Sequence, residues 1–134
     1  MANSKENNEV LLKVENVKKH FNVGSGTLKA VDGLSFELHK GETLGLVGES
    51  GCGKSTLIRA LIQMMNKSEK ITNGEILFNE KNLLLLDNKQ IRKLRGNNLG
   101  VIFQNPGATL NPIRKIGKQF VQTMQSHMDI SKNE

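Results

Sequence analysis

The chain has 134 residues, with 19 lysines and arginines against 13 aspartates and glutamates, for a formal charge of +6. That length allows one domain, and with glycine counted the apolar share is about 47%, inside the range of ordinary globular chains, which excludes wholesale disorder. A single cysteine, Cys52, excludes a disulfide framework or a zinc cluster within one chain, and the longest apolar run, Leu83 to Leu86, is far short of the ~20 residues that span a bilayer.

Residues 1–9 are polar and expected to be disordered, with no apolar stretch that would serve as a secretory signal, so a cytoplasmic location is expected. Val10, Leu12 and Val14 then alternate with Leu11, Lys13 and Glu15 in the period of a half-buried strand. A linker around Gly24, Ser25 and Gly26 leads to a second alternating run, Leu34 to Leu38. After the Lys40-Gly41 turn, Glu42 to Val47 is apolar without alternation, as in a strand covered on both faces. Leu57, Ile58, Leu61, Ile62 and Met65 carry the spacing of one helix face from Ser55 onward.

A turn at Asn73-Gly74 precedes a short strand, Glu75 to Phe78. Asp87 stands three residues before Gln90, the spacing of a capping box that opens a charged helix through Arg95. Leu99 to Phe103 reads as another buried strand, ending at Gln104 before the Asn105-Pro106-Gly107 break. Ile116, Phe120, Val121, Met124 and Met128 mark one side of a closing helix. The positive balance does not point to nucleic acid: Trp and Tyr are absent, and the five Phe do not interleave with basic residues as a base-stacking surface requires. A solvated basic face accounts for it.

Residues 48–55, Gly-Glu-Ser-Gly-Cys-Gly-Lys-Ser, satisfy the pattern G-x-x-x-x-G-K-[ST] of a phosphate-binding loop, or Walker A motif, between an apolar run and a helix. Gly48, Gly51 and Gly53 free the backbone for dihedrals that turn successive N–H groups inward around an anion, and the helix adds its own unpaired N–H groups. Glu49, Ser50 and Cys52 complete the loop. Lys54 is expected at the β- and γ-phosphates, the Ser55 hydroxyl on Mg²⁺, and Thr56 at the α-phosphate. Cys52 reads as a small loop residue that alkylating agents reach and bound nucleotide protects. No N-K-x-D guanine element is present; the nearest string is Asn66-Lys67-Ser68-Glu69. Leu83 to Asp87 imitates an apolar strand ending in a metal-binding Asp, as a small kinase would use, but Asn88 follows where a second acid is expected and the helix cap is the stronger reading.

Taken together the strings resemble the ATP-binding subunit of an ABC transporter, in the oligopeptide/dipeptide importer branch. They are Ala30-Val31-Asp32-Gly33-Leu34-Ser35-Phe36, Lys40 to Val47 running into the phosphate loop, Gly74 to Phe78, Val101-Ile102-Phe103-Gln104-Asn105-Pro106, and Leu110-Asn111-Pro112. The resemblance covers residues 10–128 and implies the N-terminal half of an α/β P-loop NTPase, with an antiparallel β-subdomain and the start of a parallel-sheet core. It places Phe21 under the adenine ring of ATP and makes Gln104 the Q-loop glutamine facing Mg²⁺ and the attacking water. Residues 105–120 correspond to the part that docks on the membrane-spanning permease. The implied partners are permease subunits and a second ATP-binding subunit, at the inner face of the cell membrane with no direct insertion.

The family's Leu-Ser-Gly-Gly-Gln signature, Walker B strand ending Asp-Glu, and switch histidine are not found after Gln104, and His20, His39 and His127 read as surface residues. The resemblance therefore implies a truncated nucleotide-binding domain over 10–134, binding MgATP with hydrolysis near background. It also implies at least one uncovered hydrophobic sheet edge. A non-catalytic ATP-binding module, an inactive gene remnant and a small P-loop kinase remain the other readings.

Overall fold

The computed structural model describes residues 9–24, 26–64 and 71–128. The expectation of disorder over 1–9 therefore falls, save for Glu9, outside the described residues, as do Met65 of the expected helix and the Asn66-to-Glu69 string. The chain forms two units, Met1–Leu86 and Asp87–Glu134.

In the first unit, β1 (Val10–Val23) and β2 (Gly26–His39) make a long hairpin, extended by β3 (Asn73–Phe78) and the short β4 (Lys81–Asn82). The sheet order is β2-β1-β3-β4 and every pairing is antiparallel. The alternation read from the sequence stopped at Val14, yet β1 runs on to Val23. The reason is a bulge. Asn16 takes a left-handed φ of 45° and its N–H donates to Ser35 Oγ at 2.8 Å, while the register slips between Val14 and Val17. The slip returns Val17 to the face that Val14 occupies, so both are buried despite odd spacing. Gly74 explains why β3 starts where it does. Its φ is +97°, and a Cβ there would lie 2.5 Å from the carbonyl oxygens of Glu15 and Asn16.

The helix α1 (Lys54–Leu61) is shorter than its apolar pattern, with Ile62 leaving helical dihedrals and Gln63 at φ 56°. Leu57, Ala60 and Ile62 are buried, as are Val14, Val17, Val31, Ile76, Phe78 and Leu83. Leu83–Leu85 is a 3₁₀ turn, not a strand, its first free N–H groups taken by Asn82 Oδ1, which accepts from Leu84 N at 3.0 Å.

Two expected strands are not formed. Residues 42–47 carry no strand pairing, and Val47 is 95% exposed. Residues 99–103 make only a single bridge, Arg95 with Leu99, and Ile102 is 96% exposed. An apolar run becomes a buried parallel strand only where neighbours satisfy its backbone on both edges, and among the described residues these segments have no such neighbours.

The second unit opens with α2 (Asn88–Asn97) and closes with α3 (Ile116–His127). The capping box is present: Asp87 Oδ1 accepts from Lys89 N at 2.8 Å and Gln90 N at 2.7 Å, and Asp87 N donates to Gln90 Oε1 at 2.9 Å. The helix breaks at Arg95 and Gly96, where φ is 90° at the glycine and a Cβ would meet the His127 ring at 2.5 Å. His127, expected at the surface, is half-buried there. The apolar residues of α3, by contrast, are all exposed. Gln119, half-buried, has an amide that accepts from Asn111 N (2.9 Å) and donates to the carbonyls of Asn111 (3.0 Å) and Arg114 (2.9 Å).

Gly74→Ala should destabilise the chain by about 2 kcal/mol or more, because the new methyl meets backbone and the dihedral disfavours any L side chain; urea unfolding measures it. Asp87→Ala should lose about 1 kcal/mol by the same measurement through the missing cap.

Candidate functional site

The loop between residue 47 and α1 is built by backbone that only glycine tolerates. Gly51 sits at φ 81° and Gly53 at φ 94°, and a Cβ on Gly53 would collide with the Ala30 carbonyl oxygen of β2. The side chain on Cys52 closes the loop from within: a Cβ on Gly48 would stand 2.7 Å from Cys52 Sγ. Cys52 N donates to Glu49 O at 3.4 Å, a weak turn bond. Gly48, Glu49, Ser50, Gly51 and Cys52 are all exposed to solvent.

Lys54 closes the ring. Its ammonium donates to Gly48 O at 2.7 Å, to Glu49 O at 2.5 Å and to Cys52 Sγ at 3.3 Å. Three loop positions thus converge on one cation, and that cation is only half-buried. Gly53 is the N-cap of α1 with no side-chain bond, and the first turn carries no acid. The helix therefore offers unpaired N–H groups and the positive end of its dipole on the side where the loop turns. Ser55 is exposed on that first turn and Thr56 is half-buried behind it.

Beside the loop is a cleft of about 300 Å³, walled by Ala30 to Leu34 of β2 and by Leu46, Val47, Cys52, Gly53, Lys54 and Leu57. Asp32 is its one acidic wall residue, held by His20 Nε2 at 3.1 Å and Lys29 Nζ at 3.2 Å. Those hydrogen bonds, His20 first, hold its carboxyl below the usual carboxylate range. The cleft's sole carboxylate is thereby partnered by two basic groups, which limits its repulsion of an incoming anion. Just upstream of the loop, Glu42 is likewise held low by the backbone N–H and ring of His39.

Residues 48–56 thus form one loop and first helical turn in which a Cβ at Gly48 would crowd Cys52 and one at Gly53 would strike β2, while Gly51 is required by its dihedral alone. Phe21 is not a wall of the cleft. It lies on β1 opposite Leu28, half-buried, in the hairpin whose other arm forms the cleft. Gln104 is exposed at a bend in the second unit. Asp87, the imitation of a metal ligand, spends its carboxylate on the α2 cap. Sequence reasoning missed Lys19, which is buried opposite the cleft wall residue Val31 with its ammonium over the Phe21 ring; the period-two spacing of Val17, Lys19 and Phe21 was its only signal.

Residues 31–133 match the family model described as ABC transporter. The chain is 42% identical over 125 residues to the dipeptide transport ATP-binding protein DppD of Bacillus subtilis, covering 92% of this chain and 37% of that protein. It is 45% identical over 121 residues to the oligopeptide transport ATP-binding protein OppF of the same organism, covering 89% of this chain and 38% of the relative. The chain thus spans well under half the length of these curated relatives. In fold it is similar to the dimeric structure of MJ0796, a bacterial ABC transporter cassette, with a TM-score of 0.76, 23% identity, and coverage of 91% of this chain and 51% of that one. The α/β architecture with its antiparallel sheet is thus that of an ABC ATPase cassette, and no helix among the described residues is long and apolar enough to cross a membrane. A matching domain over most of the chain and relatives named for dipeptide and oligopeptide transport lead to one conclusion: the chain belongs to the ABC transporter family.

Proposed function

We propose that this chain binds MgATP through the 48–56 cradle, as part of the energy-coupling ATPase subunit of a peptide importer. The observation that carries the reading is the convergence of Gly48, Glu49 and Cys52 on the Lys54 ammonium beside an uncapped helix N-terminus. The ammonium and the free N–H groups at the start of α1 supply the positive charge that a phosphate needs. On binding, Lys54 exchanges loop carbonyls for the β- and γ-phosphate oxygens, and the N–H groups of residues 51–56 take the remaining oxygens. Mg²⁺, when bound, would neutralise phosphate charge; Ser55 would be its protein ligand, and Gln104 would take the role of the Q-loop glutamine that the resemblance gives it. Phe21 provides the stacking surface for adenine.

The partners in this reading are membrane-spanning permease subunits and a second ATP-binding subunit, met at the inner face of the cell membrane without insertion. The relatives' function in dipeptide and oligopeptide transport supports the peptide assignment.

Thermal unfolding with and without MgATP tests the reading. At 100 times its dissociation constant the ligand should stabilise the chain by ~2.7 kcal/mol, and Lys54→Ala should remove the shift; an unchanged shift in that variant refutes the site. Iodoacetamide should label the exposed Cys52, and MgATP should slow that labelling several-fold. Mass spectrometry follows it, and equal rates with and without nucleotide contradict occupancy of the loop.

A further inference from the structure

Lys19 is the one charged side chain in the buried core of the described residues, 1% exposed. It stands directly opposite Val31, a wall of the cleft, and two residues before Phe21, so both side chains leave β1 on the same face. Its ammonium lies 4.4 Å from the centroid of the Phe21 ring. That distance is within the range of a cation–π contact, and the contact is stronger for a desolvated cation than for an exposed one.

We infer that Lys19 is a positioning residue for the nucleotide base: it occupies one face of Phe21 and so fixes the ring for a purine to stack on the other. The inference rests on the reading of Phe21 as the adenine platform and deepens it. An aromatic ring has two faces, and a cation held against one of them narrows the orientations open to a half-buried ring. The ammonium imposes that limit before the base arrives and draws ring electron density toward itself, which favours an electron-rich purine on the opposite side. Lys19 therefore acts on base recognition and not on the phosphates, which belong to Lys54 and the loop.

The test compares the dissociation constants of MgATP and of magnesium with inorganic triphosphate, by calorimetry on the full chain. Lys19→Met should weaken MgATP by about 3- to 10-fold and leave inorganic triphosphate unchanged, and Lys19→Arg, which keeps a cation over the ring, should restore ATP binding. Equal weakening of both ligands, or no weakening of ATP, overturns the inference. Phe21→Leu separates the two levels: if it leaves the ATP-to-triphosphate ratio at its original value, the platform reading itself fails and Lys19's role with it. If Phe21→Leu lowers the ratio and Lys19→Met does not, only the present inference fails. Should Lys19→Met not fold, proton resonances of the Lys19 ε-methylene in the unaltered chain decide. Ring-current displacement upfield that changes with MgATP and not with inorganic triphosphate supports the arrangement, and an ordinary shift overturns it.

Discussion

The close approach of Gly53 to the carbonyl of Ala30 sets the geometry of everything around the loop. Because no side chain fits between them, the first turn of α1 is pressed directly against β2, and the helix must start with its N–H groups beside the β2 residues that wall the cleft. A residue with a Cβ at position 53 would push the helix off the strand and open the ring that Lys54 closes. The left-handed dihedral at the same glycine turns the chain from the loop into the helix in one step. Packing and chain direction thus depend on one hydrogen atom where other residues have a side chain.

The features legible in the sequence were those set by local chemistry. Asp87 and Gln90 announced their capping box because both halves lie within four residues, and the glycine spacing of 48–53 announced the loop because each glycine answers a local dihedral need. The β1 extension past Val14 was hidden because its bulge depends on Ser35, nineteen residues away, accepting from Asn16. Lys19 was hidden for a related reason: charged residues in a strand read as solvent-facing, and only the tertiary arrangement shows the ammonium under a ring. The segments 42–47 and 99–103 were misread in the opposite sense. Their composition is that of covered parallel strands, but a strand is a property of pairs, and composition carries no information on whether a partner stands alongside.

Charge placement follows the same division between local and distant causes. Asp32 sits on the cleft wall, and alone it would repel any anion there. His20 and Lys29, one across the hairpin and one along it, surround that carboxylate and convert a local obstacle into part of a balanced polar wall. The loop does likewise with Lys54, whose ammonium donates to carbonyls of the chain itself. In the proposed reading, binding exchanges partners within that ring.

Gln119 gives the second unit a comparable economy of parts. One amide on α3 grips both the N–H and the C=O of Asn111 and the C=O of Arg114, and the Arg114 guanidinium reaches Gln122 on the same helix at 2.7 Å. The segment from Asn111 to Arg114 is thereby tied to the helix at four points. Moving that segment away from the helix would break all four bonds at once.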